Sequence, residues 1–232
     1  MKLGIMQPYF LPYIGYFQLI SAVDTFIVYD NIKYVKKGWI NRNRMLVNGS
    51  DKTFTIPLKR VSDSFHIVQR ELSGTFDRRK LLNKFKESYS HAPYYHQCFP
   101  TLEQVILNKD TNLFAYLSYS IECMCELLGI NAKIIVSSEI DIDHCLKGKN
   151  KVLALCKAVK ADTYINTIGG IDLYNKEEFA EQQIDLSFIN TLPIVYSQFS
   201  KIFTPNLSIA DALMFNTLDR IGSDYLKKFE LL

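Results

Sequence analysis

The first thirty residues constrain the fold more than any other part of the chain. Lys2–Met6 is a short apolar run, Ile14–Val23 carries apolar residues at helical spacing, and Thr25–Tyr29 is a second apolar run. A strand, a short helix and a strand in this order predict two parallel strands joined by a right-handed crossover. The loop Gln7–Tyr16 is then expected at the carboxyl end of the first strand, where open α/β sheets bind ligands.

The rest of the chain continues the α/β pattern. Asn48-Gly49 between the runs Met45–Val47 and Thr53–Leu58 predicts a β-hairpin. The other predicted elements are helices over Arg78–Ser88, Pro100–Leu107, Leu113–Leu128 and Lys149–Lys160, strands over Lys133–Ser137, Thr163–Asn166, Asp185–Phe188 and Ile194–Tyr196, and a final helix capped by Ser208 with Asp211 at the capping-box position. We therefore predict a Rossmann-like α/β fold, with a mostly parallel sheet, a β-hairpin and a helical insertion at about 75–130, in a single domain that spans 1–232.

Composition excludes several classes of protein. Hydrophobic residues make up 48% of the chain and the formal net charge is +3, so disorder is excluded and the charge alone gives no reason to expect DNA binding. Five cysteines without regular spacing are typical of core thiols in a reducing compartment. No signal peptide or apolar stretch long enough to span a membrane is recognisable. We expect a cytoplasmic protein without a membrane span.

The first loop is the most informative motif. Gly15 stands in the first turn of the predicted helix, which costs helix stability and indicates a close approach of the backbone to a neighbour. A helix N-terminus also offers free N–H groups to a phosphate. The spacing resembles the loop of the HxGH nucleotidyltransferase superfamily, but Tyr13 and Tyr16 occupy both histidine positions, and neutral tyrosine does not match imidazolium as a phosphate partner. A tight aromatic turn that packs the end of the sheet is the alternative.

A second motif, residues 36–44, combines four cations, two amides and the only tryptophan of the chain. Arg42 or Arg44 is suited to a bidentate grip on a phosphate, and Trp39 to stacking on a base or a sugar. A solvated basic loop anchored by Trp39 is the alternative. We favour a binding function because the tryptophan is unique and surrounded by donors.

Other signals are weaker. Gly169-Gly170 follows a predicted strand and either lets the backbone approach a ligand or forms a plain turn. The four histidines lack metal-ligand spacing, so no metal site is predicted, and His91 is the best candidate among them for acid–base chemistry. Hydrolase, zinc-protease, P-loop and dinucleotide-binding motifs are absent from the sequence.

Several segments together resemble the WbqC-like family. They are GIMQPYFLPYIGYFQLI (Gly4–Ile20), DTFIVYD (Asp24–Asp30), GWINRN (Gly38–Asn43), APYY (Ala92–Tyr95), GG-x-x-x-Y (Gly169–Tyr174) and PNLSIAD (Pro205–Asp211). The resemblance covers essentially the whole chain. It implies an association with bacterial surface-polysaccharide clusters, including lipopolysaccharide O-antigens whose amino-deoxy-sugars carry an amide-linked glycyl or acylglycyl group.

The resemblance leads to a functional hypothesis. The protein is expected to be an acyltransferase or aminoacyltransferase, or an ATP-dependent ligase, that forms an amide on a nucleotide-linked amino-deoxy-sugar. The donor is an adenylate made from ATP, as on the related loop of pantothenate synthetase, or an aminoacyl-tRNA. In this hypothesis Tyr13, Gly15 and Tyr16 line the donor end, Lys37, Arg42 and Arg44 hold the pyrophosphate, and Trp39 stacks on the base or sugar. Gln7 and Asn41 orient the acyl carbonyl, and Asp30 or His91 accepts the amine proton. Asn43, Gly169 and Gly170 complete the binding set.

Two alternatives belong to other classes of function. One is a non-catalytic sugar-nucleotide-binding subunit of a polysaccharide complex, since the loss of both loop histidines is what such a subunit would display. The other is a nucleotidyltransferase-like enzyme in which tyrosine has replaced histidine.

Overall fold

The structure is a computed structural model that describes residues 1–232. In chain order its strands are β1 (Lys2–Met6), β2 (Thr25–Val28), β3 (Arg42–Val47), β4 (Ser50–Thr55), β5 (Lys133–Val136), β6 (Thr163–Thr167), β7 (Asp185–Thr191) and β8 (Phe229–Leu231). Its helices are α1 (Ile14–Ser21), α2 (Arg78–Tyr89), α3 (Tyr95–Leu107), α4 (Leu113–Leu127), α5 (Gly148–Ala158), α6 (Lys176–Ala180), α7 (Ile209–Phe215) and α8 (Leu218–Ser223).

Six strands form the central sheet in the order β5-β2-β1-β6-β7-β8. All neighbours are parallel except β8, which pairs antiparallel with β7. The predicted β1–α1–β2 unit is confirmed, with Leu3 opposite Thr25 in the register. The fold is therefore a Rossmann-like α/β fold with a mostly parallel sheet.

Helices cover both faces of the sheet, as parallel strands require. Alternate residues of β2 point to opposite sides, because the side-chain period of a strand is two. Phe26 and Val28 join the larger core with α1, α4 and α7, whereas Ile27 joins a smaller core beneath α5 and α6.

The predicted hairpin is confirmed with shifted boundaries. β3 and β4 pair around Asn48 and Gly49, whose φ angles of 51° and 74° suit a tight two-residue turn. The predicted second strand, Thr53–Leu58, lies three residues earlier in the structure.

Three helices, α2 to α4, occupy the stretch that was predicted as a helical insertion. α3 begins at Tyr95 rather than Pro100, so the proline stands inside the helix. The division of the chain into one domain with an insertion stays a prediction. None of the helices has both the length and the apolar character needed to cross a bilayer.

Two local predictions near the C-terminus are wrong. Ile194–Tyr196 is not a strand, since residues 192–208 contain no regular secondary structure and Pro193, which has no N–H to pair, comes two residues after the end of β7. Ser208 caps α7 as expected by accepting a bond from the Ala210 N–H, 3.3 Å away. Asp211, however, does not complete a capping box, because its carboxylate is bonded to other side chains.

Candidate functional site

A cavity of about 1130 Å³ opens at the carboxyl ends of β1, β6 and β7. The chain leaves β1 towards β2 on one side, and β6 lies on the other, so the cavity occupies the switch point of the sheet. Its walls are the loop 7–16, the turn 166–174 and the irregular segment 192–208. Nine of the fourteen predicted site residues line it: Gln7, Tyr13, Gly15, Tyr16, Trp39, Asn43, Arg44, Gly169 and Gly170.

The loop after β1 is held by the hairpin. Phe10 N–H donates to the Ile40 carbonyl at 3.0 Å, and Asn43 Nδ2 donates to the Leu11 carbonyl at 2.6 Å and the Phe10 carbonyl at 3.3 Å. The oxygen of the same amide accepts from the Arg44 N–H. Asn43 therefore lines the cavity, but the hydrogen bonds of its side-chain amide hold the loop in place.

The three residues at the start of α1 have different surroundings. Tyr13 is the N-cap residue, and a Cβ on Gly15 would lie 2.5 Å from the Tyr13 ring, so the close neighbour that the glycine indicated is Tyr13 itself. Tyr16 is buried and its hydroxyl donates to the Gln7 carbonyl at 3.2 Å. Burial raises the pKa of Tyr16 well above its usual value, so this residue is a neutral structural donor at neutral pH.

Amide groups form the polar floor of the cavity. Gln7 Oε1 is buried and has no hydrogen-bond partner, an arrangement that calls for an explanation because such groups are rare. Asn166 Oδ1 accepts from the Thr167 N–H at 2.8 Å, and a side chain at Gly170 would collide with Asn166 Nδ2. Gly170 thus allows the Asn166 amide to occupy the floor, whereas Gly169 is open to solvent.

Arg44 is the single charged residue of the cavity wall. One guanidinium nitrogen donates to Asp51 at 2.9 Å, and another donates to the carbonyls of Pro205 and Asn206, each at 3.1 Å. Arg44 therefore ties the hairpin to segment 192–208 and has few donors left for a ligand.

The other predicted phosphate-binding cations lie outside the cavity wall. Arg42 stands over the Trp39 ring, 5.3 Å from its centroid, and donates to the carbonyls of Gly38 and Lys37. Lys37 is exposed. The structure thus brings Trp39 to the cavity without these two cations.

Asn41 and His91 are also not brought to the cavity. Asn41 is buried, where Tyr34 Oη donates to its oxygen at 2.7 Å and its nitrogen donates to the Ile56 carbonyl at 2.7 Å. His91 is exposed between α2 and α3.

Asp30 lies just after the end of β2 and close to Lys151, a residue that no sequence motif indicated. Ser137 Oγ and the Ser138 N–H donate to Asp30 Oδ1 at 2.8 and 3.0 Å, while Oδ2 is buried without a partner. Lys151, buried on α5, donates to Asn31 Oδ1 at 3.0 Å.

Burial changes the acid–base behaviour of this lysine. Desolvation lowers the pKa of Lys151, against the opposing attraction of Asp30. Its ammonium nitrogen is 5.2 Å from the centroid of Tyr29, a residue of the cavity wall, so Lys151 lies next to the cavity. Nothing in the helical periodicity of α5 distinguishes Lys151 from its exposed lysine neighbours.

A second missed group is centred on Asp211. This buried carboxylate accepts from Tyr196 Oη at 2.8 Å, Gln198 Nε2 at 2.7 Å and Tyr89 Oη at 3.0 Å. Burial raises the pKa of Asp211, and the three donors oppose that shift. Because Tyr196 lines the cavity, Asp211 fixes part of its wall.

The thiols offer little nucleophilic character. Four of the five cysteines are buried, and desolvation raises the pKa of Cys98, Cys125 and Cys156 to about 12. No three His, Cys, Asp or Glu side chains are grouped so as to hold a metal ion.

The fold and the cavity together define a Rossmann-like protein with a tyrosine-rich and nearly uncharged cavity at its switch point. The model of the WbqC-like protein family matches residues 7–222, and the chain belongs to this family. A relative, the Uncharacterized protein Rv1507c of Mycobacterium tuberculosis (strain ATCC 25618 / H37Rv), is 29% identical over 231 residues, which cover 97% of each chain. No solved structure matches the chain.

Proposed function

We propose that the protein forms an amide bond between an acyl or aminoacyl group, such as glycyl, and the amine of a nucleotide-linked amino-deoxy-sugar in surface-polysaccharide (O-antigen) biosynthesis. The observation that carries the proposal is the cavity at the β1–β6 switch point, whose volume of about 1130 Å³ admits both a sugar nucleotide and an acyl donor. Its floor of amides and its tyrosine walls suit the hydroxyl groups and apolar faces of a sugar.

The donor is assigned to the start of α1. Tyr13 provides no side-chain cap there, so backbone N–H groups of the first turn are left to bind a phosphate or an acyl phosphate. Gln7 Oε1, which lacks a protein partner, accepts a hydrogen bond from the attacking amine. Trp39 stacks on the base or on the sugar at the mouth.

The reaction requires an acceptor for one proton. The amine nitrogen bonds to the acyl carbon, the acyl–oxygen bond to AMP or tRNA breaks, and the nitrogen loses a proton. Asp30, which directly follows Tyr29 of the cavity wall but does not line the cavity itself, is assigned as the acceptor because its buried Oδ2 has no hydrogen-bond partner. Lys151 lies close enough to Asp30 for the two side chains to interact electrostatically.

A specific observation favours the non-catalytic binding subunit as the second candidate. The cavity wall holds only one charged side chain, Arg44, and its guanidinium is engaged by Asp51 and two carbonyls. Adenylyl or nucleotidyl transfer needs cations that stabilise the charge of a triphosphate, so this scarcity disfavours the third candidate, a nucleotidyltransferase-like enzyme, and equally the adenylate route of the first, for which it leaves aminoacyl-tRNA as the favoured donor.

The direct test is a condensation assay. Purified protein is incubated with a dTDP-linked amino-deoxy-sugar, ATP and glycine, and in parallel with the same sugar and glycyl-tRNA. Mass spectrometry is expected to find the glycyl amide in one of the two reactions, and a sugar with a hydroxyl in place of the amine is expected to give none. Pyrophosphate release in the first reaction would identify the adenylate route.

The other outcomes separate the alternatives. A thermal shift with the sugar nucleotide but no product with either donor would favour the binding subunit. Pyrophosphate release that does not need the amine would favour the nucleotidyltransferase-like enzyme. Tyr13→Ala is expected to abolish turnover while Tyr119→Ala, on α4 outside the cavity wall, retains it; full activity of the Tyr13 variant would refute the donor assignment.

A further inference from the structure

Large apolar side chains surround the mouth of the cavity. Trp39, Ile168, Leu173 and Val195 all line it, yet 46%, 37%, 70% and 64% of their respective surfaces are exposed. They come from three separate parts of the chain, residues 31–40, 167–174 and 192–208, which we call the rim segments. Because exposed apolar side chains are normally scattered singly, their concentration at one end of the sheet indicates an interaction surface.

The rim segments hold a disproportionate share of the exposed apolar surface. Eight of the thirteen exposed large hydrophobic side chains belong to them, including Ile202, which is 80% exposed. The others in the rim segments are Val35, Ile171 and Phe199.

The same segments are basic. They contain four lysines and one acidic residue, so they account for the whole formal net charge of +3 and the remainder of the chain is balanced. Lys36 is paired with Asp63, but Lys33, Lys37 and Lys201 form no ion pair. An apolar rim with unpaired lysines is complementary to an anionic surface that has an apolar interior.

We propose that the rim segments dock the protein on an anionic lipid surface, with the cavity mouth facing the membrane. The apolar side chains enter the boundary between headgroups and acyl chains, and the lysines contact anionic headgroups. A second copy of the chain is a poorer occupant, because a two-fold contact between identical rims places the lysines of one against those of the other. The docking does not depend on the reaction in the cavity.

Trp39 can serve as an intrinsic fluorescence probe of the rim, because it is the only tryptophan of the chain and lies in a rim segment. Its emission is recorded during titration with vesicles of phosphatidylcholine alone and of phosphatidylcholine mixed with phosphatidylglycerol. We expect a blue shift with the mixed vesicles, quenching by lipids brominated in the acyl chains, and co-sedimentation. High salt is expected to weaken binding, and each unpaired lysine to contribute about fivefold on the anionic vesicles.

Substitutions of exposed residues test the rim without threatening the core. The double variant Leu173→Ser/Ile202→Ser is expected to weaken binding to mixed vesicles more than about tenfold. Lys37→Gln/Lys201→Gln is expected to weaken it at low salt only. The matched control is Leu231→Ser, an exposed leucine on β8 outside the rim segments, which is expected to bind like the parent.

Three results would overturn the proposal. The first is unchanged Trp39 emission and no co-sedimentation with mixed vesicles. The second is an emission change that depends on protein concentration without lipid, which would identify self-association as the role of the rim. The third is an emission change produced by a sugar nucleotide alone and no vesicle binding, which would identify the rim as a closing lid.

Discussion

Replacement of Asp211 by asparagine tests whether one buried carboxylate joins Tyr89 to the side chains that support the cavity wall. Asparagine has nearly the same shape, and its oxygen retains the bonds from Tyr196 and Gln198. Its amide nitrogen then faces Tyr89 Oη, which already accepts from the Leu46 N–H at 3.0 Å. The proton of the Tyr89 hydroxyl therefore loses its acceptor in a site without access to water.

The size of the effect follows from that single lost bond. A buried polar group left without its partner costs about 1–3 kcal/mol. In a protein of this length, a loss of about 2 kcal/mol in the free energy of unfolding lowers Tm by about 4–8 °C. Tyr89→Phe removes the same bond from the other side, so the double variant is expected to show a coupling of about 1 kcal/mol or more between the two positions.

The pH dependence has a definite sign. Because the folded-state pKa of Asp211 is raised above its value of 3.8 in the unfolded chain, the native state holds the proton more tightly. The stability that this contributes is complete below the unfolded pKa and is lost as the pH rises through the folded pKa. Asparagine does not titrate, so its deficit relative to the parent is expected to be larger near about pH 4 than near about pH 8.

Urea unfolding of the parent, Asp211→Asn, Tyr89→Phe and the double variant at both pH values provides the measurement. Additive losses within about 0.5 kcal/mol would show that the two residues do not share a bond. A deficit that is the same at both pH values would refute the raised pKa. Tyr116→Phe supplies a control, since its hydroxyl is also buried and donates to the Ile106 carbonyl far from Asp211 in sequence.

Three further predictions concern other parts of the molecule. Gly15→Ala is expected to cost less than about 1 kcal/mol, because its Cβ meets only the far end of the half-buried Tyr13 side chain, which can turn aside, and to be stabilising in a Tyr13→Ala background; equal changes of Tm in both backgrounds would contradict the contact. The lowered pKa of Lys151 means that the unfolded chain binds the proton more tightly than the folded protein does. The stability of the parent relative to Lys151→Met is therefore expected to rise with pH towards about 10.5. A stability difference in urea unfolding that does not change with pH would contradict this prediction. Cys145 is the one exposed thiol, so an aromatic disulfide reagent is expected to label one cysteine rapidly in the native protein and none in Cys145→Ser, whereas rapid labelling of several would be inconsistent with the burial of the others.

Local sequence patterns were sufficient for most of the fold. The alternation of apolar runs and helical periodicity in the first thirty residues determined the parallel β1–β2 pair, because short connections leave few other arrangements. The same reasoning failed at Ile194–Tyr196, where apolar residues line a cavity instead of pairing as a strand. An apolar triplet after Pro193 has the same composition in both roles, so periodicity does not distinguish them.

Local sequence patterns could likewise predict some residues of the candidate site and not others. Gly15 was detectable because it stands in the first turn of a predicted helix, and Gly170 because it follows a predicted strand; a side chain at either position would collide with a neighbour. Asp211 was not detectable as a network centre, because its partner Tyr89 lies 122 residues away in sequence. Its position beside Ser208 also offered a local explanation, the capping box, that the structure contradicts.

The basic segment 36–44 has two uses in the structure, and they lead to different salt dependences. The Arg44 guanidinium is already bonded to Asp51 and to the Pro205 carbonyl. A phosphate in the cavity would therefore contact backbone N–H groups at the start of α1 and few charged groups. Lys37 is instead exposed, two residues before Trp39 of the cavity wall. Since screening acts mainly on exposed charges, the affinity for a sugar nucleotide is expected to change little with ionic strength, while vesicle binding falls steeply. Calorimetric titration and co-sedimentation over the same salt series measure both, and a steep loss of sugar-nucleotide affinity would mean that cations outside the cavity wall hold the phosphate after all.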